Sequence, residues 1–190
     1  MKTTMKRLMA AVVAGVLVMG TAQATGIADV NDNPFVISAE AASNYVKESK
    51  VKKIVLKDAG LSSKSISGYE IELEEGKNPV YEVEFISGGY EYGYDVVAKT
   101  GKIKEMSCEL IDKTSIKTKT RTITVSAAKK KALKEAGKSS KNVKKLKCSK
   151  KTDDGLKLYK VTFRAGGYRY EYELDVYSGR VVEMEKELIK

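Results

Sequence analysis

The sequence predicts an α+β protein made of two tandem repeats, each one α-helix packed on a four-stranded antiparallel β-meander. Three observations carry that prediction. A 31-residue stretch occurs twice: VYEVEFISGGYEYGYDVVAKTGKIKEMSCEL from Val80 and LYKVTFRAGGYRYEYELDVYSGRVVEMEKEL from Leu158, a constant offset of 78 residues (158 − 80) with 13 of 31 positions identical. A repeat of this length marks two copies of one unit. In each copy the apolar period changes from helical to alternating along the chain, so a helix is followed by strands with one buried and one wet face. Glycines fall where tight hairpins need positive φ, at Gly88-Gly89 and Gly166-Gly167, and at Gly101 and Gly179.

In chain order, residues 1–24 have the layout of a secretory signal. Lys2, Lys6 and Arg7 precede an uncharged, mostly apolar run from Leu8 to Gly20, and Ala22-Gln23-Ala24 fits a small-x-small cleavage site. The run is too short to span a bilayer, which takes roughly 20 residues, so the expectation is cleavage near Ala24 and a secreted or cell-envelope protein. No cysteine follows the run to carry a lipid. Residues 25–36 read as a flexible leader. Residues 37–111 are expected to form the first domain, 112–122 an extended Thr/Lys-rich linker, and 123–190 the second domain.

Within the first domain Ser38 is a weak candidate cap for a helix from Ala39. The stronger helix is Lys47 to Ala59, with Val51, Ile54, Val55 and Ala59 on one face and Gly60 as its left-handed stop. The second domain repeats the design over Ser126 to Ala136, with Ala128, Ala132, Leu133 and Ala136 inward, Ser126 as N-cap and Gly137 as stop. Strands follow, with Tyr69, Ile71, Leu73, then Tyr81, Val83, Phe85, then Tyr90, Tyr92, Tyr94, Val96 alternating against mostly acidic residues. A two-residue Gly88-Gly89 turn pairs Ser87 with Tyr90 and Phe85 with Tyr92. A three-residue loop Lys99-Thr100-Gly101 would set Met106 opposite Val96 and Leu110 opposite Tyr92, and in the second copy Met184 opposite Leu174 and Leu188 opposite Tyr170. Each unit is near the size where one core is marginal, so docking of the two is expected.

The residues argue against an enzyme. The chain contains no histidine, which removes the commonest general base, triad partner and zinc ligand. The Gly-Gly pairs sit in hairpins and not before helices, so no phosphate loop is present. No metal or cofactor is expected, because the glutamates of the first copy lack loop-type calcium spacing. Cys108 and Cys148 do not match between copies. A single bridge between copies and two unpaired buried thiols both remain open. The tyrosine ladder is assigned to core filling.

The outward faces carry the candidate interaction surface. Residues 25–111 hold 10 Lys against 15 Asp+Glu, and residues 112–190 hold 22 Lys+Arg against 10 Asp+Glu, so charge divides as −5 and +12. Matching positions reverse sign: Glu70 becomes Lys147, Glu74 becomes Lys151, Glu82 becomes Lys160 and Glu91 becomes Arg169. These are either two solvated faces or patches that meet, within one chain or head to tail between chains. Lys129 to Lys151 contains 11 Lys in 23 residues, among them Lys129, Lys130 and Lys131. This is either a solvated lysine-rich helix and strand or a binding surface, for which an exported protein would meet anionic envelope polymer or lipid head groups rather than nucleic acid.

The pattern resembles the PepSY domain family over about residues 46–110 and 123–188. The features are a helix ending LKDAG or LKEAG, a strand YEVEF or YKVTF, the Gly-Gly hairpin, the tyrosine-alternating strand, and a turn AKTGK or VYSGR. The acidic residue the family places before the small residue of its third strand is Asp175 in the second copy. The first copy has Val97 there, with Asp95 two positions earlier. The resemblance implies a non-enzymatic binding module that restrains a secreted or envelope peptidase or binds another envelope component. It brings no catalytic residues.

Overall fold

A computed structural model of the chain describes residues 44–116 and 121–189. The signal, leader and Ala39-helix expectations lie outside the described residues. Helix α1 spans Glu48–Ala59 and helix α2 spans Val125–Glu135. The strands are β1 Ser67–Glu74, β2 Val80–Ser87, β3 Tyr90–Val97, β4 Ile103–Leu110, β5 Lys144–Asp153, β6 Leu156–Ala165, β7 Tyr168–Asp175 and β8 Val181–Leu188. All eight belong to one antiparallel sheet in the order β1-β2-β3-β4-β8-β7-β6-β5. The expected docking of the halves is therefore hydrogen bonding of β4 to β8, with Ser107 opposite Glu185 and Cys108 opposite Met184.

Both helices close as their sequences require. Gly60 takes a left-handed φ of 69° and its N–H and that of Leu61 donate back to the last turn, while Gly137 takes φ 61° after α2. The N-cap of α2 is Thr124, whose hydroxyl accepts from the Ala127 N–H at 3.1 Å; the expected cap, Ser126, lies inside the first turn. The chain enters each helix through matching backbone bonds, Val46 N–H to Ala98 O and Ile123 N–H to Val176 O, both 2.8 Å.

The Gly-Gly hairpins keep the expected register, Phe85 opposite Tyr92 and Val83 opposite Tyr94, with φ of 59° and 81° at Gly88 and Gly89. The β3–β4 and β7–β8 hairpins do not. Met106 faces Tyr94 and Leu110 faces Tyr90, and likewise Met184 faces Tyr172 and Leu188 faces Tyr168. A bulge at Asp95/Val96 and its counterpart at Glu173/Leu174 absorb the difference. The slip is two residues, so every side chain stays on its expected face, and alternation alone could not have distinguished the two registers.

Each half packs its helix on the sheet. Val51, Val55 and Leu56 of α1 meet Val83, Phe85, Tyr94, Val96 and Met106; Ala128, Ala132 and Leu133 of α2 meet Val161, Phe163, Tyr172 and Leu174. Phe85 stacks on Tyr92 at 5.0 Å and Phe163 on Tyr170 at 4.9 Å, so most of the tyrosine ladder does fill core. Met184 packs against both clusters. The expected extended linker begins instead with a single 3-10 turn, Lys113–Ser115, capped by the Asp112 carboxylate.

Candidate interaction surface

The helices cover one face of the sheet, and strand alternation puts the remaining outward residues on the other. This open face gathers Glu70 and Glu74 from β1, Glu82 from β2, Glu91 from β3, Lys147 and Lys151 from β5, Lys160 from β6 and Arg169 from β7. Lys129, Lys130 and Lys131 belong to α2, in the helical layer. The sequence-predicted set is thus divided between the two sides of the molecule.

The acidic and basic patches do not meet within the chain, which leaves two solvated faces or a head-to-tail contact between chains. They share a face, but the sheet order places β1–β2 and β5–β6 at opposite ends with β4 and β8 between. At about 4.8 Å per strand the two edges stand roughly 34 Å apart. The same order separates Cys108 on β4 from Cys148 on β5 by four strands, roughly 20 Å, against the 7 Å limit for a disulfide. Both thiols are free, and burial raises that of Cys108 to about 11.

The basic residues are answered from nearer by. Lys151 contacts Glu173 at 2.6 Å and Asp153 at 3.0 Å, Lys160 pairs with Glu171, and Arg169 contacts Glu187 at 3.1 Å and Glu171 at 3.7 Å. Burial pulls the Lys151 ammonium down, but the bonds to Glu173 and Asp153 outweigh it and hold its pKa above the usual lysine value.

Sequence reasoning missed these carboxylates and a second set beside them. The outward residues of β4 and β8 form like-charge cross-strand pairs, Glu105 with Glu187 and Glu109 with Glu183, and β7 adds Glu171 opposite Glu185 and Glu173 opposite Glu183. Like charges directly opposite each other repel. Glu183 is accordingly pushed up to about 7, first by burial and then by Glu173, Glu109 and Glu185, with Lys113 opposing. Burial likewise raises Glu185 and Glu105. The signal was present in the alternation of VVEMEKEL; only the partner strand was unknown.

On the helical side the halves are tied by buried polar contacts. Tyr90 and Tyr168, 78 residues apart, donate to the carbonyls of Val181 and Ile103 respectively, both at 3.0 Å. Lys186 of β8 lies in phase with Met184 and Leu188 on the packed face, where its ammonium bonds Asp58 of α1 and sits 4.8 Å from the Tyr168 ring. Tyr94 donates to the other Asp58 oxygen at 3.3 Å. Asp175, the acid singled out by the family resemblance, is buried and accepts from the Ser178 N–H and hydroxyl at 2.6 Å each. Its role is to hold the turn.

Among the described residues no group of three or more potential ligands could hold a metal, and no helix is long and apolar enough to cross a membrane.

Residues 122–185 match the sequence model of the PepSY family, described as peptidase propeptide and YPEB domain. A PepSY domain therefore occupies that segment. An uncharacterized protein of Streptococcus pyogenes serotype M6 is 35% identical over 86 residues, covering 44% of this chain and 65% of that protein. The chain thus spans just under two thirds of that relative's length. A candidate lipoprotein of Clostridium difficile is 22% identical with a TM-score of 0.32, covering 75% of this chain and 94% of that one. The YpeB C-terminal domain of Bacillus megaterium is 12% identical with a TM-score of 0.27, covering 77% of this chain and 100% of that domain.

Proposed function

We propose that the protein is a secreted, non-enzymatic binding module that restrains or regulates a secreted or envelope peptidase. The observation that carries this reading is the PepSY domain at residues 122–185, a family whose description names peptidase propeptides. We also infer that residues 37–111 are a first copy of the same unit. The matching Tyr90 and Tyr168 bonds, the matching bulges and the matching helix entries support that inference. Titration of the purified chain into secreted peptidase activity from the same source tests the function. Saturable inhibition below micromolar concentration is expected. Unchanged activity over that range, with the chain folded, overturns it.

A second reading has its own support. Lys129, Lys130 and Lys134 project from α2 in the helical layer, and Lys144, Lys145 and Lys147 are exposed on β5. Each of these groups, on its own side of the molecule, suits an anionic envelope polymer or lipid head groups. Under this reading, binding to cell-wall material or anionic vesicles falls steeply with salt and is lost when Lys129–Lys131 and the lysines of 144–151 are neutralised. Salt-tolerant binding points back to the peptidase.

A further inference from the structure

We propose that this chain associates with a second copy of itself edge to edge, the acidic edge strand β1 of one copy pairing with the basic edge strand β5 of the next. The two strands stand at the ends of the sheet, and no other strand among the described residues pairs with their outer sides. An edge strand presents unused backbone donors and acceptors to any chain that can approach it.

Direction favours this pairing. In an eight-stranded, wholly antiparallel sheet the first and last strands run in opposite senses. A copy shifted sideways past β5 brings its own β1 alongside in antiparallel orientation, with its helices on the same side as before. The alternation continues unbroken across the boundary.

Charge selects the same partner. The outward residues of β1 are Glu70, Glu72 and Glu74, all exposed, and among the described residues none makes an ion pair. Those of β5 are Lys147, Ser149 and Lys151, of which Lys147 makes no ion pair among the described residues. Two β1 edges repel, as do two β5 edges, whereas the unlike edges attract. The charges that guard each edge against its own kind admit the other.

The regular stretches of the two edges are also compatible. A bulge interrupts β1 between Ser67 and Glu70, and one interrupts β5 between Lys144 and Lys147, with left-handed φ at Gly68 and Lys145. Regular strand therefore runs from Glu70 to Glu74 and from Lys147 to Asp153, so all of the regular part of β1 finds a partner along β5. Antiparallel pairing of Glu70–Glu74 with Lys147–Lys151 sets Glu74 against Lys147 and Glu70 against Lys151 on the open face. It sets Leu73 against Cys148 and Ile71 against the Lys150 stem on the helical face, covering half-buried apolar surface. The contact joins two different edges, so it is heterologous and builds chains or closed rings of copies rather than a two-fold dimer.

The test is a charge swap read by sedimentation or light scattering on the full chain. The wild type should gain mass with concentration at about 0.1 M salt and lose it near 1 M, where screening is complete within a few ångströms. A variant with E70K and E74K has two basic edges, one with K147E and K151E has two acidic edges, and each alone should remain a single copy. Mixed in equal amounts they should associate again, because each supplies the edge the other lacks. A wild type that stays a single copy at high concentration in low salt overturns the proposal, whatever the variants do. So does a reversed-edge variant that associates as the wild type does, or a mixture of folded variants that stays apart.

Discussion

Removing Asp58 should damage the protein far more than removing Lys186, although the two form one ion pair. The Lys186 side chain is 9% exposed and the Asp58 side chain 26% exposed. Asp58→Ala strands an ammonium among Met106, Tyr168 and Tyr170, with the Tyr168 ring at 4.8 Å its remaining polar contact among the described residues. An orphaned buried charge of this kind costs about 3–5 kcal/mol. Lys186→Met preserves volume and fills the same slot with apolar atoms, while Asp58 stays partly hydrated and keeps the Tyr94 hydroxyl. That change should cost about 1 kcal/mol or less. The other half shows that the slot accepts such a residue: at the position matching Lys186 the chain carries Cys108, buried on β4. The double variant should then lie within about 1 kcal/mol of Lys186→Met, since the ammonium is gone and only the Tyr94 bond is lost in addition. Urea unfolding of the four proteins measures the cycle, and the predicted coupling is about 2 kcal/mol or more. Additive costs, or a Lys186→Met variant as unstable as Asp58→Ala, would refute the claim that burial of the lysine dominates.

Three further outcomes follow from the same geometry. Glu183 titrates at about 7 in the folded chain against an ordinary 4.5, so the folded state holds the proton more tightly and stability falls as pH rises from about 4.5 to 7. Glu183→Gln should remove up to about 2–3 kcal/mol of that slope, a figure discounted for partial exposure; urea midpoints that track the wild type at every pH would contradict it. The Tyr172 hydroxyl is buried without a partner among the described residues whereas that of Tyr94 bonds Asp58; Tyr172→Phe should therefore be neutral or stabilising, and Tyr94→Phe should cost about 1 kcal/mol in the same unfolding assay. Gly101 has φ 71° and an added Cβ would lie 2.9 Å from Ile54 Cδ1, so Gly101→Ala should lower stability by about 1–3 kcal/mol, read as a drop in thermal midpoint.

The sequence revealed those features that one strand or one helix encodes by itself. The alternation of Tyr81, Val83 and Phe85 named the packed face, Gly60 and Gly137 named the helix ends, and Gly88-Gly89 named the hairpin register. The β3–β4 register stayed hidden because a bulge moves it by two residues and leaves every face unchanged. Thr124 rather than Ser126 caps α2 because the helix begins two residues earlier than a Ser126 cap implies. The seam between β4 and β8 had no signature, since each strand reads as half-buried whatever lies beside it. Lys186 was the clue: a lysine in phase with Met184 and Leu188 asks for a buried partner, and Asp58 supplies it from the other half. Charge, too, divides by half in the sequence but partly by face in the fold, where Glu105, Glu109, Glu183, Glu185 and Glu187 line up across the seam.

The β4–β8 seam underlies the shared open face, the two unlike edges and the buried Asp58–Lys186 pair alike. Native-state hydrogen exchange of the backbone amides in residues 105–109 and 183–187 measures it directly. As interior strands of one sheet, they should be protected as strongly as β2, β3, β6 and β7 and exchange through the same cooperative opening. Weak protection confined to β4 and β8, as two separate edges would give, would contradict the single eight-stranded sheet.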